Sequence, residues 1–309
     1  MCWPYSIGYY RIPIFVSAGV LLAGCSVKQI AMDTLAGALA ESSASVYAID
    51  NDPKLVGAAI PFSLKLMETV LAESPDNKDL LLATSAAFTH YSYAYVEQDA
   101  KVLEDENYRA SEKGIQRARK LYLRALDYGM RGLEAAHPGF REGLKTDPEG
   151  TAATATIEDI DLLYWTAVAW GSAISLSLYD PSTIGELGRM EVLINRAYAL
   201  DPDYDHGAIH VFFITYAMTK SGGDPSPEEK ARAHFRRAIA LSRGLQAGPY
   251  VSLAEAVSIP NQDRSEFEKL LNQALAVDPD ARPEWRLVNI IIQNRAEWLL
   301  NRADRLFLD

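Results

Sequence analysis

Few side chains in this sequence have the type and spacing to make or break bonds. The stretch "DPDYDHGAIHVFF" puts His206 and His210 four residues apart on an expected helix, with Asp203 or Asp205 near enough to add a carboxylate. That spacing can bring two imidazoles to one metal ion, the beginning of a metal-dependent hydrolase. Against it, no Glu follows His206 as an HExxH site requires, and no other Cys or His cluster lies nearby in sequence. A capping or hydrogen-bonded histidine is the simpler expectation, so neither metal nor cofactor is expected. The chain has no GxSxG nucleophile elbow, no GxxxxGK phosphate loop and no GxGxxG dinucleotide turn. No catalytic residue is assigned, and the protein is expected not to be an enzyme.

Aromatic side chains are the other candidates, for binding and not for bond chemistry. "DIDLLYWTAVAWGSAIS", residues 159–175, carries apolar side chains around most of its circumference when drawn as a helix. Tyr164, Trp165 and Trp170 are therefore either packed in a core or set along an apolar ligand cleft, where large rigid rings give contact area and a polar tip gives orientation. "AAFTHYSYAYV", residues 86–96, repeats the theme, with Phe88, Tyr91 and Tyr95 at offsets of three and four. Those residues, with His210 and Phe213, complete the candidate cleft lining. Core packing is the competing reading for all of them.

The elements that must position these rings read as helices throughout. About half the residues (49%) are apolar, and the Ala- and Leu-rich stretches lack a sustained Val/Ile/Thr alternation. An all-α protein is expected. The net charge of -11 and the lack of a basic run argue against a nucleic-acid groove. Helices are expected near 29–49, 55–73, 77–97, 110–132, 157–178, 185–200, 204–220, 227–243, 248–258, 264–277 and 283–305. Ser226-Pro227 with Glu229 predicts an N-cap and capping box after Gly222-Gly223. Residues 97–114 read as a helix extension or an acidic loop. Residues 135–156, with two Pro and no apolar period, read as a long irregular connection.

An Ala- and aromatic-spaced phrase recurs. It is carried by Ala118, Tyr122 and Ala125; by Met190, Ile194, Ala197 and Pro202; by Ala231, Phe235 and Ala238; by Phe267, Leu271, Ala274 and Pro279; and weakly by Ser63, Met67, Val70 and Pro75. Offsets of three, four and seven share one helix face, where small residues allow close approach and a large one fills the gap. The phrase matches the second helix of a tetratricopeptide repeat, so the expected architecture is an α-solenoid of about five degenerate hairpins plus a C-terminal helix.

The start of the chain reads as an export signal. Arg11 precedes an apolar stretch from Ile12 to Leu22, followed by Ala23-Gly24-Cys25. Leu22-Ala23-Gly24-Cys25 resembles a bacterial lipobox, which implies removal of residues 1–24, loss of Cys2, and acylation of Cys25 with palmitate-like chains that hold the protein on a bilayer. Ser26 stands where an inner-membrane retention signal would place Asp, which resembles sorting to the outer membrane with the protein facing the periplasm. Residues 25–309 then form one helical domain.

Three phrases add a family resemblance: "DLLYWTAVAWGSAI", "DYDHGAIHVFFITYAMTKSGGDPSPEEKARAHFRRAIALS" and "DRSEFEKLLNQALAV". With the lipobox and the repeats, they resemble the T component family of tripartite ATP-independent periplasmic (TRAP) transporters, TatT-like lipoproteins. The resemblance implies an all-α, non-catalytic periplasmic lipoprotein that partners a solute-binding P component and passes on a hydrophobic small molecule, as a homo-oligomer. The early helices and their aromatics would border the cleft. A tetratricopeptide lipoprotein of outer-membrane or envelope assembly, holding proteins and not solutes, is the alternative.

Overall fold

A computed structural model describes residues 46–177, 183 and 185–308, with the isolated positions 34 and 37. Cys25 and most of the helix expected over 29–49 lie outside the described residues. Among those residues the protein is all-helical, with no strand. The helices are α1 (Pro53–Glu73), α2 (Lys78–Tyr91), α3 (Gln98–Val102), α4 (Tyr108–Ala136), α5 (Phe140–Thr146), α6 (Pro148–Ala153) and α7 (Ile160–Ser175). After them come α8 (Leu187–Leu200), α9 (Tyr204–Ala217), α10 (Pro227–Ser242), α11 (Gly248–Leu253), α12 (Arg264–Leu275), α13 (Arg286–Leu300) and α14 (Ala303–Leu306).

Local chemistry sets most boundaries. Asp52, Asn77, Asn107 and Asp263 each accept a backbone N–H three residues on, satisfying an orphan donor of the first turn. At α10 the Ser226 hydroxyl accepts from Glu229 N–H while the Glu229 carboxylate accepts from Ser226 N–H, the reciprocal box the sequence predicts. α2 passes into α3 through a π-helical turn, Ser92–Glu97, and α11 ends in a second one, Ala254–Ser258. Such turns widen a helix locally and are frequent at functional sites.

Residues 135–156 correct the expectation of an irregular connection. They contain α5 and α6, anchored by buried Phe140, Leu144, Ala152 and Ala155. Asp147 ends α5 and starts α6: it caps the second helix by accepting from Gly150 N–H, and Pro148 occupies the first position. Phe140 and Leu144, four apart, are too short an apolar run to register as periodicity.

α1 is long and apolar enough to cross a membrane by length and composition (21 residues, hydropathy 1.5). Its Val56, Ile60, Leu64, Met67 and Val70 follow the helical period and are buried on the neighbouring helices, which makes that face a core face; Leu55 and Phe62 stay exposed.

Helices close in sequence pack against each other: α2 with α4, α7 with α8, α9 with α10 and α11 with α12. Four copies of the recurring phrase fall on second members of these pairs, where Ala118, Tyr122, Ala125, Met190, Ile194, Ala197, Phe267, Leu271 and Ala274 are almost wholly buried and Phe235 is half-buried; the weak copy with Ser63, Met67 and Val70 falls on α1 instead. The first members also touch one another: α2 meets α7, Phe212 of α9 lies against Gly171 of α7, α9 meets α11, and α11 meets α13. The far end then returns to the start. α13 packs on α1, Leu287 and Ile291 join the N-terminal core, and Arg286 donates to the Ile49 carbonyl at 2.7 Å. Tyr93 packs against both the N-terminal and the C-terminal core, so the row of first helices closes on itself.

Candidate functional site

The two histidines that might have shared a metal are separated by the backbone. Asp205, His206 and Gly207 occupy the left-handed region, with φ of 42°, 54° and 100°. The four-residue helical relation between His206 and His210 therefore does not hold. His206 sets its ring edge on Trp285 at 5.1 Å, whereas His210 Nδ1 lies 2.8 Å from His234 Nδ1. No group of three His, Cys, Asp or Glu residues able to hold a metal occurs among the described residues. Gly207 is required twice over, by its φ and because a Cβ there would sit 3.1 Å from Ala238 Cα.

His210 and Phe213 belong to a packed aromatic cluster between α8, α9 and α10. Phe213 stacks on His234 at 4.9 Å and meets Tyr198 edge-on, and both His210 and Phe213 are buried. Burial, with His210 beside it, pushes the His234 pKa down to about 4, and burial lowers that of His210 as well. Both rings are neutral at pH 7, so one Nδ1–H can donate to the other. A shallow cavity of about 470 Å³ opens beside them, rimmed by the Arg237–Asp203 ion pair.

Four other ring candidates are also interhelical packing. Phe88 stacks on Tyr128 at 5.8 Å within the N-terminal core. Tyr91 is buried there and its hydroxyl accepts from Arg117. Tyr95 presses on α1 where Gly57 leaves room for it, and burial pushes its hydroxyl up to about 12. Trp170 is 6% exposed, donates its indole N–H to Glu186 at 2.9 Å and carries Arg189 over its ring.

Tyr164 and Trp165 differ. Both are half-buried and face the other first helices: Trp165 meets His90 of α2 at 4.6 Å, and Tyr164 meets Tyr204 of α9 at 5.1 Å. His90 is exposed, yet desolvation by the protein around it drops its pKa to about 4. Beside Tyr164, Tyr204 donates to Asp161, and the neighbouring Asp205 carboxyl is raised by burial first, with Asp161 adding to the shift. Burial and then Asp205 likewise raise Tyr164.

Further along the inner helices lies a polar group that sequence reasoning missed. Tyr93 and Glu97 come from the first π turn, Glu255 from the second and Arg295 from α13. Arg295 is buried and donates from Nη2 to Glu255 at 2.5 Å. Tyr122 donates to buried Glu97 at 2.7 Å, and Lys101 pairs with the same carboxylate at 2.6 Å. Burial raises the Tyr93 hydroxyl, Glu255 raises it further, and Arg295 opposes both. A π turn leaves no mark in composition, but the Arg295, Trp298, Arg302 spacing of three and four was readable in "RAEWLLNR" as one helix stripe.

A family model described as "TRAP transporter T-component" matches residues 49–307. An uncharacterized protein of Treponema pallidum (strain Nichols) is 29% identical over 317 aligned positions, which cover 97% of this chain and 98% of that protein.

Proposed function

The chain belongs to the TRAP transporter T-component family, and from that premise we propose that it docks the solute-binding P component of such a transporter and holds an apolar small molecule in the space bounded by its inner helices. Family membership carries an accessory role in transport, in a family that is not one of enzymes. The accessible but desolvated His90, with Trp165 and Tyr164 beside it, is the observation that supports a ligand space inside the closed row of helices. Trp165, Tyr164 and His90 are its apolar wall, and the remaining sequence candidates support that wall from the core side. The helices form a stack of degenerate tetratricopeptide-like hairpins, exchange proceeds by differential affinity between the two proteins, and no covalent step is involved.

Anchoring through acylated Cys25 at the periplasmic face of the outer membrane fits the lipobox and the TRAP association, which itself points to the cell envelope. A homo-oligomer is compatible with this anchoring. The test is affinity purification of the tagged full-length protein from envelope extract. Co-purification of the P component encoded beside the transporter's membrane subunits is expected, together with an apolar compound identified by mass spectrometry. Recovery of envelope-assembly proteins with no P component and no apolar compound would overturn the reading.

A further inference from the structure

The inner surface is apolar around Trp165, but where the closing helix meets the first π turn it carries an excess of cationic donors. Arg295 is 8% exposed, and only its Nη2 has a partner; Nε and Nη1 have none. Each of the two forks of its planar guanidinium therefore retains a free nitrogen. Arg302 repeats the pattern: Nη2 donates to Asp105 at 3.1 Å, while Nε and Nη1 have no partner. The two guanidiniums bracket one indole ring, with their central carbons 4.3 and 4.4 Å from the Trp298 centroid. Stacking holds their planes fixed at little cost in rotamer freedom.

Charge points the same way. Arg295, Arg302 and Arg305 share two carboxylates, Glu255 and Asp105. Arg302 and the exposed Arg305 thus draw on one carboxylate, in a chain whose net charge is -11. Buried guanidinium donors without acceptors are costly, and an oxyanion that takes one fork, a free nitrogen together with Nη2, is the group such a guanidinium suits. Neighbouring Tyr93 adds a hydroxyl.

We propose that Arg295, stacked on Trp298 and seconded by Arg302, receives the oxyanion head of an amphiphilic ligand whose apolar body lies along Trp165 and Tyr164. The inference rests on the ligand-space reading above and gives that ligand a chemistry: one anionic end, carboxylate or phosphate, and one apolar end. Glu255 competes for the same guanidinium and swings aside on binding.

The experiment is calorimetric titration of the full chain with decanoate, decyl phosphate and decanol, three probes with one tail and different heads. At least one anion is expected to bind about tenfold tighter than decanol, and the better of the two identifies the head. Arg295→Met keeps an aliphatic stem on Trp298 and should bring the affinity for both anions down to that for decanol. Glu255→Gln should strengthen anion binding severalfold, which decides the matter if Arg295→Met fails to fold by circular dichroism. Equal binding of decanol and both anions would overturn the inference and leave the ligand space standing. So would an anion preference that survives Arg295→Met, or one that Glu255→Gln leaves unchanged or weakens. Binding of none of the three would overturn both.

Discussion

Trp165 and Trp170 lie five residues apart on α7, about 140° around the helix, and their surroundings are opposite. Trp170 is locked in the core, with its N–H on Glu186 and Arg189 over its ring. Trp165 keeps part of its surface open and meets an exposed histidine that the surrounding protein keeps neutral. The carboxylates around the start of the same helix divide in the same way. Asp159 is almost wholly buried, and although burial alone would raise its pKa, Thr156 N–H, His137 and Lys78 pull it down to about 2. Asp205, on the inner rim facing Tyr164, is raised. One side of α7 is built to hold the fold together and the other is left accessible, which is the arrangement a binding surface on a rigid scaffold needs.

Substitution can break that contrast. The largest effect is expected from Trp170→Ala, which empties a filled core position and should cost about 3–5 kcal/mol in urea unfolding, against less than about 1 kcal/mol for Trp165→Ala. Similar losses from the two variants would show that both faces of α7 are core.

Next comes Asp159→Asn, expected to cost about 2 kcal/mol at pH 7, since the folded pKa of about 2 lies below the ordinary 3.8. The sign follows from the direction of the shift. A depressed carboxyl stabilises the fold fully above pH 4 and loses that contribution as pH falls from about 4 to about 2. Unfolding free energies of the wild type and the variant should therefore converge toward pH 2.

The effect with least consequence at neutral pH belongs to His90. Its folded pKa is near 4 and the ordinary value is 6.5, so the unfolded chain takes up the proton first and stability declines as pH falls from about 6.5 to about 4. His90→Gln should flatten that part of the profile and leave stability at pH 8 nearly unchanged. A profile identical to wild type would mean that the ring is not desolvated.

Helical periodicity, capping residues and the small-large-small phrase made the helices and the buried second member of each pair legible from sequence. The capping box at Ser226 and the burial of Ala118, Tyr122 and Ala125 follow from local rules alone. What local rules could not supply was which face of an all-apolar helix meets a neighbour. Trp165 and Trp170 read alike in sequence, and so do Tyr91 and Tyr164, because their difference is made by distant helices α2 and α9. His206 and His210 do not share a helix face for a backbone reason that their spacing did not reveal, since three consecutive left-handed residues cancel the helical register. The return of α13 to α1 joins residues more than two hundred positions apart, such as Arg286 and Ile49 at a separation of 237, beyond the reach of any repeat period.

The most direct test is a titration with 10-bromodecan-1-ol, whose bromine quenches indole fluorescence only on contact, in the wild type, Trp165→Phe and Trp170→Phe. Saturable quenching is expected in the wild type and in Trp170→Phe, and it should disappear in Trp165→Phe. Quenching that never saturates, or that persists when Trp165 is replaced, would contradict an inner aromatic wall open to ligand.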